Sequence, residues 1–194
     1  MIIRKQFNFK NKHIVRNCTS VRCKENEHAH TYSVEIFLTA KGLDNGQMIL
    51  DFGLFKTNIK DIVGIFDNAY SLWVKDKPDF KEYVTSNNKR WIELPVSPSA
   101  ESLSVILFYL IDNVISNTEF NNGERTPSLH AVRVHETTSG YAESQREDLE
   151  FFEPYSLADI TISDDIASSW KDPELWNKLV NKIPFVNPIV EQQV

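Results

Sequence analysis

From His28 to Leu38 every second residue is a histidine or an apolar side chain: His28, His30, Tyr32, Val34, Ile36 and Leu38. Alternate side chains of an extended chain leave by the same face. The run therefore predicts a strand whose packed side carries two imidazoles. His13 lies upstream, with Cys23 between, so three of the chain's five histidines fall within eighteen residues. Three neutral nitrogen ligands leave one tetrahedral position open, the arrangement of catalytic rather than structural zinc. His-x-His beside a strand also suits two hydrogen-bonded, half-buried histidines, and spacing alone does not separate these readings.

Residues 2–9 alternate as well, with Ile3, Phe7 and Phe9 on one side. They predict a first strand joined to the second by the Cys- and His-bearing loop. A turn at Gly42–Gly46 leads to Asp51, which is expected to cap a helix over about 52–65, with Leu54, Phe55, Ile59, Ile62 and Val63 at helical spacing. Residues 74–90 read as a polar excursion, and Trp91–Leu94 as a short strand. The clearest helix covers about 100–115, where Leu103, Ile106, Leu107, Leu110, Ile111 and Val114 make a broad apolar stripe free of Gly and Pro. A third long strand covers 128–136 and a fourth 141–149. The expected fold is an α+β domain over 1–152, a four-stranded antiparallel sheet with two helices on one face. An acidic, Ser-rich extension with one short helix near Pro173 follows over 153–194.

At 194 residues the chain suits one domain with an appendage. No apolar run approaches the ~20 residues that span a bilayer, and the N-terminus has no signal-peptide core, so no membrane partner is expected. Cys18 and Cys23 read as free thiols of a reducing, cytoplasmic protein. The net charge of −6 argues against nucleic acid as a partner. Yet no acid precedes Glu25, whereas Arg4, Lys5, Lys10, Lys12, Arg16, Arg22 and Lys24 do. The cationic stretch coincides with the histidines, as a small, highly charged anionic substrate would require; some of these side chains simply cover the solvent face of the first strand.

Glu136 shares the parity of Val132 and Val134, so it ends an apolar face and needs a partner there. A ligand with an amidine N–H beside an amino group could satisfy it through two parallel hydrogen bonds; solvation or pairing with Arg133 would also do. Asp67 follows a helix, where an acid is a turn former or orients another group. Glu101, in the first turn of the second helix, is favoured by the helix dipole. It stands with Glu136 as a candidate substrate contact. His130 and His135 fall on the opposite parity and are expected at the surface.

Several short motifs occur in one order: Phe9-x-x-x-His13, Cys23 ahead of His28-Ala29-His30-x-Tyr32, and Met48-x-x-Asp51-Phe52-x-x-Phe55-Lys56. Asp67-Asn68-Ala69, Pro98-Ser99-Ala100-Glu101-Ser102-Leu103 and Val134-His135-Glu136-Thr137 follow. Together, over about residues 3–146, they resemble the 6-pyruvoyl-tetrahydropterin synthase / 6-carboxy-tetrahydropterin synthase family. The resemblance implies a tunnelling (T-) fold whose subunits close into a barrel, a homo-oligomer that is usually a hexamer of two stacked trimers, with active sites between subunits. It implies 7,8-dihydroneopterin triphosphate as the small-molecule substrate and Zn2+ as the cofactor, held by His13, His28 and His30. Cys23 would abstract a proton, its thiolate favoured by zinc and by cationic neighbours. Glu136 would anchor the pterin edge and join a proton relay to which Asp67 also belongs.

The chain departs from the family pattern in three places. Asp67-Asn68 replaces an Asp-His pair, and an amide carries no proton near neutral pH. His-Ala-His replaces His-Gly-His. Cys18 is a second thiol, while Glu25 and Glu27 crowd the same loop, where some relatives use a glutamate in place of the thiol. The short cysteine-to-histidine spacing favours a lyase of the 6-carboxy type, which feeds 7-deazaguanine (queuosine) synthesis. A 6-pyruvoyl-forming enzyme, or a zinc- and pterin-binding homologue impaired by Asn68, are the alternatives.

Overall fold

The computed structural model describes residues 1–188. Its first half runs β1 (Ile2–His13), α1 (Val21–Glu25), β2 (His28–Thr39), α2 (Gly53–Lys56), α3 (Asn58–Gly64), β3 (Ala69–Trp73), α4 (Pro78–Asn87) and β4 (Trp91–Leu94). The second half runs α5 (Ala100–Ser116), β5 (Thr118–Phe120), β6 (Ser128–His135), β7 (Tyr141–Ser144), β8 (Thr161–Ile162), α6 (Asp164–Ser168), α7 (Leu175–Asn181) and β9 (Phe185–Asn187). The chain is α+β, as its periodicities predict, but its main sheet is larger than expected. It has seven strands in the order β7-β6-β2-β1-β3-β4-β8, and β5 with β9 makes a separate pair.

Nor is the sheet purely antiparallel. β1 with β2, β2 with β6 and β6 with β7 are antiparallel, but β1 with β3 and β3 with β4 run parallel. β3 is hidden in the sequence because four of its five residues are buried, so no polar alternation marks it. β8 is only two residues long and has no pattern to read.

β1 runs four residues beyond the expected end. Its inward positions continue from Phe9 through Asn11 to His13, a polar pair that hides the alternation. Asn11 is buried because its amide bridges the Phe66 and Ala69 carbonyls, each at 3.0 Å. The helix expected over 52–65 is two helices broken at Thr57 (φ −123°, ψ −100°). Asp51 does not cap it directly but accepts from Gly53 N at 2.7 Å in an Asx turn. The excursion at 74–90 contains α4, opened by Pro78. The fourth strand stops at Ser144 and gives way to a 3₁₀ turn over Arg146–Phe151.

α5 is capped by Ser99, whose hydroxyl accepts from Ser102 N at 3.3 Å, and it packs its stripe on β6 and β7. α3 lies beside it over β1, so both main helices cover one face. The main core takes in Leu157, Ile160, Ile166, Trp170, Leu175, Leu179 and Phe185 from beyond Phe152, while Tyr70, Leu72 and Val84 form a smaller cluster between β3 and α4. Residues 189–194 of the expected extension lie outside the described residues. Among the described residues no helix is long and apolar enough to cross a membrane.

Candidate metal centre and active site

The β1–β2 register builds the site. His13 pairs with His28, Asn11 with His30 and Phe9 with Tyr32, so three imidazoles gather at the open end of the hairpin. Ring centroids lie 4.5 Å apart for His13–His28, 5.5 Å for His13–His30 and 5.1 Å for His28–His30. One ring nitrogen from each falls within 4.8 Å of the others.

Two of the rings have their second nitrogen engaged. His13 Nδ1 lies 2.6 Å from the Pro98 carbonyl, and His28 Nδ1 lies 3.0 Å from the Asn26 carbonyl. A carbonyl accepts only from an N–H, so both rings are fixed with Nδ1 protonated and Nε2 free to ligate. His13 is fully buried, and burial lowers its pKa to about 4, with the Pro98 carbonyl opposing. It is therefore neutral at physiological pH, as a ligand must be. The donor set fits a borderline-soft divalent ion such as zinc: three uncharged nitrogens, two with fixed tautomers, on the rigid ends of paired strands.

Glu136 completes the cluster. Val34 faces Val134 across β2 and β6, and two further residues along this register bring Glu136 opposite Tyr32. Its Oε1 accepts from the Tyr32 hydroxyl at 2.9 Å and lies 3.6 Å from His13 Nε2 and 3.7 Å from His30 Nε2. Tyr32 is wholly buried, stacked on Phe9 at 5.0 Å. Burial and the Glu136 carboxylate push its phenol well above the usual range, so it remains a proton donor. Sequence reasoning placed Tyr32 on the packed face but missed this role; the parity shared with both histidines was the available signal. Glu136 also borders a cavity of about 370 Å³ with Thr31 and Thr137.

The remaining candidates are less central. Glu101 is exposed at the start of α5, close enough to Tyr32 to raise its pKa slightly. Cys23 is half-buried on α1, its carbonyl accepting from Val15 N at 3.1 Å, two residues beyond His13. No hydrogen bond joins it to the three histidines. Cys18 is also free, its thiol 3.3 Å from the Ser20 carbonyl. Asp67 stands apart from the cluster within the chain: its Oδ1 accepts from Lys10 N at 3.0 Å, and Asn68 N donates to the Lys10 carbonyl at 2.7 Å. His130 is exposed, whereas His135 is half-buried with Nε2 2.9 Å from Glu35.

Fold and site together define a mixed-sheet α+β protein with a three-histidine pocket and a carboxylate beside it. Residues 2–147 match the family described as 6-pyruvoyl tetrahydropterin synthase, and the chain belongs to that family. It is 35% identical over 184 residues to a 6-carboxy-5,6,7,8-tetrahydropterin synthase of Helicobacter pylori strain J99, covering 93% of this chain and 92% of the relative. A second H. pylori strain, 26695, gives the same identity and coverage. Among solved structures, the uncharacterized protein WS1659 of Wolinella succinogenes aligns with a TM-score of 0.60 at 16% identity, over 75% of this chain and 98% of its own. The 6-pyruvoyl tetrahydropterin synthase of Caenorhabditis elegans aligns with a TM-score of 0.53 at 17% identity, over 75% and 94%. These likenesses show the fold.

Proposed function

We propose that the chain is a zinc-dependent lyase that converts 7,8-dihydroneopterin triphosphate to 6-carboxy-5,6,7,8-tetrahydropterin, in the cytoplasm and on the route to 7-deazaguanines. The observation that carries this reading is the convergence of His13, His28 and His30 with a carboxylate already tied to a buried phenol. The kinship with 6-carboxy-5,6,7,8-tetrahydropterin synthases over 93% of the chain supports the choice of product.

His13, His28 and His30 hold the zinc, which when bound supplies Lewis-acid polarisation to the substrate's side-chain hydroxyls. Glu136 accepts two parallel hydrogen bonds from the amino-pyrimidinone edge. The Tyr32 hydroxyl, donating to Oε1, holds that carboxylate in place, and each oxygen keeps a lone pair for the ligand. Glu101 offers a second acceptor at the rim. Cys23 takes a proton from the substrate side chain, brought near by the α1 loop folding back on Val15. Asp67 is held to the Lys10 backbone rather than to the histidines, so its part in proton transfer belongs to the centre of an adjacent subunit in a trimer-based homo-oligomer, a hexamer in our reading.

Residues 1–152 carry this chemistry, and the extension over 153–194 contributes side chains between Leu157 and Phe185 to the core beneath it. Incubation of zinc-loaded protein with 7,8-dihydroneopterin triphosphate, followed by mass analysis, tests the reading. Acetaldehyde, triphosphate and the 6-carboxy compound are expected; loss of triphosphate without acetaldehyde, leaving a 6-pyruvoyl compound, would replace this reading with the sister activity.

A further inference from the structure

A cavity of about 430 Å³ lies past the ends of β1 and β3, walled by Arg16, Trp73, Lys75, Asp76, Lys77 and Phe80. Its position follows from the sheet. Ser71 pairs with His13 across β3 and β1, so both side chains leave by one face, and Trp73 shares that parity one pleat further on, about 7 Å away. The segment that joins His13 to His28 lines the cavity through Arg16, whose Nη1 donates to the Lys24 carbonyl at 3.3 Å, one residue after Cys23. The buried hydroxyl of Ser71, on the His13 rung, has no hydrogen-bond partner among the described residues.

The walls carry three cations against one carboxylate, in a chain whose net charge is −6. That carboxylate is already committed. Asp76 is buried, accepts from Trp73 N at 2.9 Å and from Arg16 Nε at 2.8 Å, and so acts as a brace that aims the guanidinium. Arg16 is further fixed over the Phe80 ring at 4.9 Å, and Lys75 lies over the Trp73 ring at 5.2 Å. Lys75 and Lys77 have no ion-pair partner among the described residues. Two free ammonium groups and one braced guanidinium around an aromatic floor match the charge of a polyphosphate and have no use for a neutral pterin ring.

We propose that this cavity binds the phosphate chain of the substrate whose pterin end sits at the metal centre. The assignment rests on the reading of the substrate given above, and it recruits Lys75 and Lys77 from a stretch that the sequence marks only as a polar excursion. Its consequence is specificity: a pterin lacking phosphates loses the contacts of Arg16, Lys75 and Lys77 while keeping those of Glu136.

The test uses zinc-loaded wild type, a Lys75→Ala/Lys77→Ala double variant, and Lys89→Ala, an exposed lysine outside the cavity. Both cavity lysines are exposed, so the double variant retains the fold. Its KM for 7,8-dihydroneopterin triphosphate is expected to rise about tenfold or more with kcat within about twofold. Calorimetric titration with inorganic tripolyphosphate is expected to show a matching loss of affinity, and Lys89→Ala is expected to match wild type in both. An unchanged KM and an unchanged tripolyphosphate affinity in the double variant would overturn the proposal. If tripolyphosphate binds through the two lysines but no pterin product forms, the anion site stands and the reading of the reaction falls instead.

Discussion

The Tyr32 hydroxyl donates to Glu136 Oε1 at 2.9 Å across two neighbouring strands, at the point where the three histidine rings meet. The bond links the hydrophobic core to the polar site. Tyr32 is stacked on Phe9 and cannot move without disturbing the hairpin, so its hydroxyl is a fixed anchor for a carboxylate that is otherwise one-third exposed.

Tyr32→Phe removes that anchor and keeps the packing. The charge-assisted bond lost is worth ~1.5–3 kcal/mol, which sets the expected fall in kcat/KM at roughly ten- to a hundredfold. Metal content should match wild type, since no ligand is touched. Steady-state kinetics beside elemental analysis checks this; an unaltered kcat/KM would show that Glu136 needs no help in finding its place.

The metal prediction is separable from the reaction. His28→Ala leaves two nitrogens, and the variant should purify with far less zinc than wild type. A chelator should remove zinc from wild type with loss of activity that returns on re-addition. A protein that carries no divalent metal, with or without His28, would return the histidines to a structural role.

Much of this site was legible because strand parity is a rigid rule. One alternation from His28 to Leu38 puts two histidines and Tyr32 on the packed face, and the parity of Glu136 with Val134 adds the carboxylate. His13 was found by proximity rather than by pattern, because buried Asn11 interrupts the apolar run that would have carried β1 to it. β4 is the short strand expected at Trp91–Leu94, whereas β3 shows in the sequence only through the motif at its start; the neighbours of both in the sheet come from distant sequence, which periodicity does not encode. Asp67 shows the other limit. Its order in the chain matches the family, but its position depends on Lys10 and, in our reading, on a second subunit.

His13 makes the metal-free protein sensitive to acid. Its pKa falls from 6.5 in the unfolded chain to about 4 in the fold, because burial disfavours the charged ring. Between those values the unfolded chain takes up a proton that the folded one refuses. Stability is therefore intact above about pH 6.5 and is lost as the pH drops towards 4, by up to roughly 3 kcal/mol. Urea midpoints of the chelated protein across this range should show the loss, and His13→Gln should flatten it.

Asn68 sits at φ +53°, in the left-handed region that Asn and His tolerate better than most residues. Asn68→His should therefore fold normally, whereas Asn68→Ala should lose ~1 kcal/mol from backbone strain. The histidine restores a group able to carry a proton, and general acid–base transfer typically contributes ~10²–10⁴-fold. A rise in kcat for Asn68→His of at least about tenfold is expected. Equal turnover in both forms would mean that another group, or water, already does the work.

The segment over 153–188 is structural, as the burial of its side chains shows. Leu157, Ile160, Ile166, Trp170, Leu175, Leu179 and Phe185 join the same core as α3 and α5. Polar contacts fix it as well. Asp61 accepts from the Lys171 and Asp172 amides at 2.8 and 3.3 Å, and Arg90 spans from the Gly64 and Asp67 carbonyls to Asp165 and Ser169. Seven buried apolar side chains at ~1.5–3 kcal/mol each amount to roughly 10–20 kcal/mol. A domain of this kind has only ~5–15 kcal/mol in total. Truncation after Phe152 should therefore yield insoluble or unfolded protein, and the single change Leu175→Ala should cost ~2–5 kcal/mol. Circular dichroism and thermal melts decide it: a soluble truncated chain melting at the full-length temperature would make the segment a mere appendage. Arg90→Ala, by contrast, should lower the melting temperature only modestly while loosening the Asp67–Asn68 turn, so its activity should fall further than its stability.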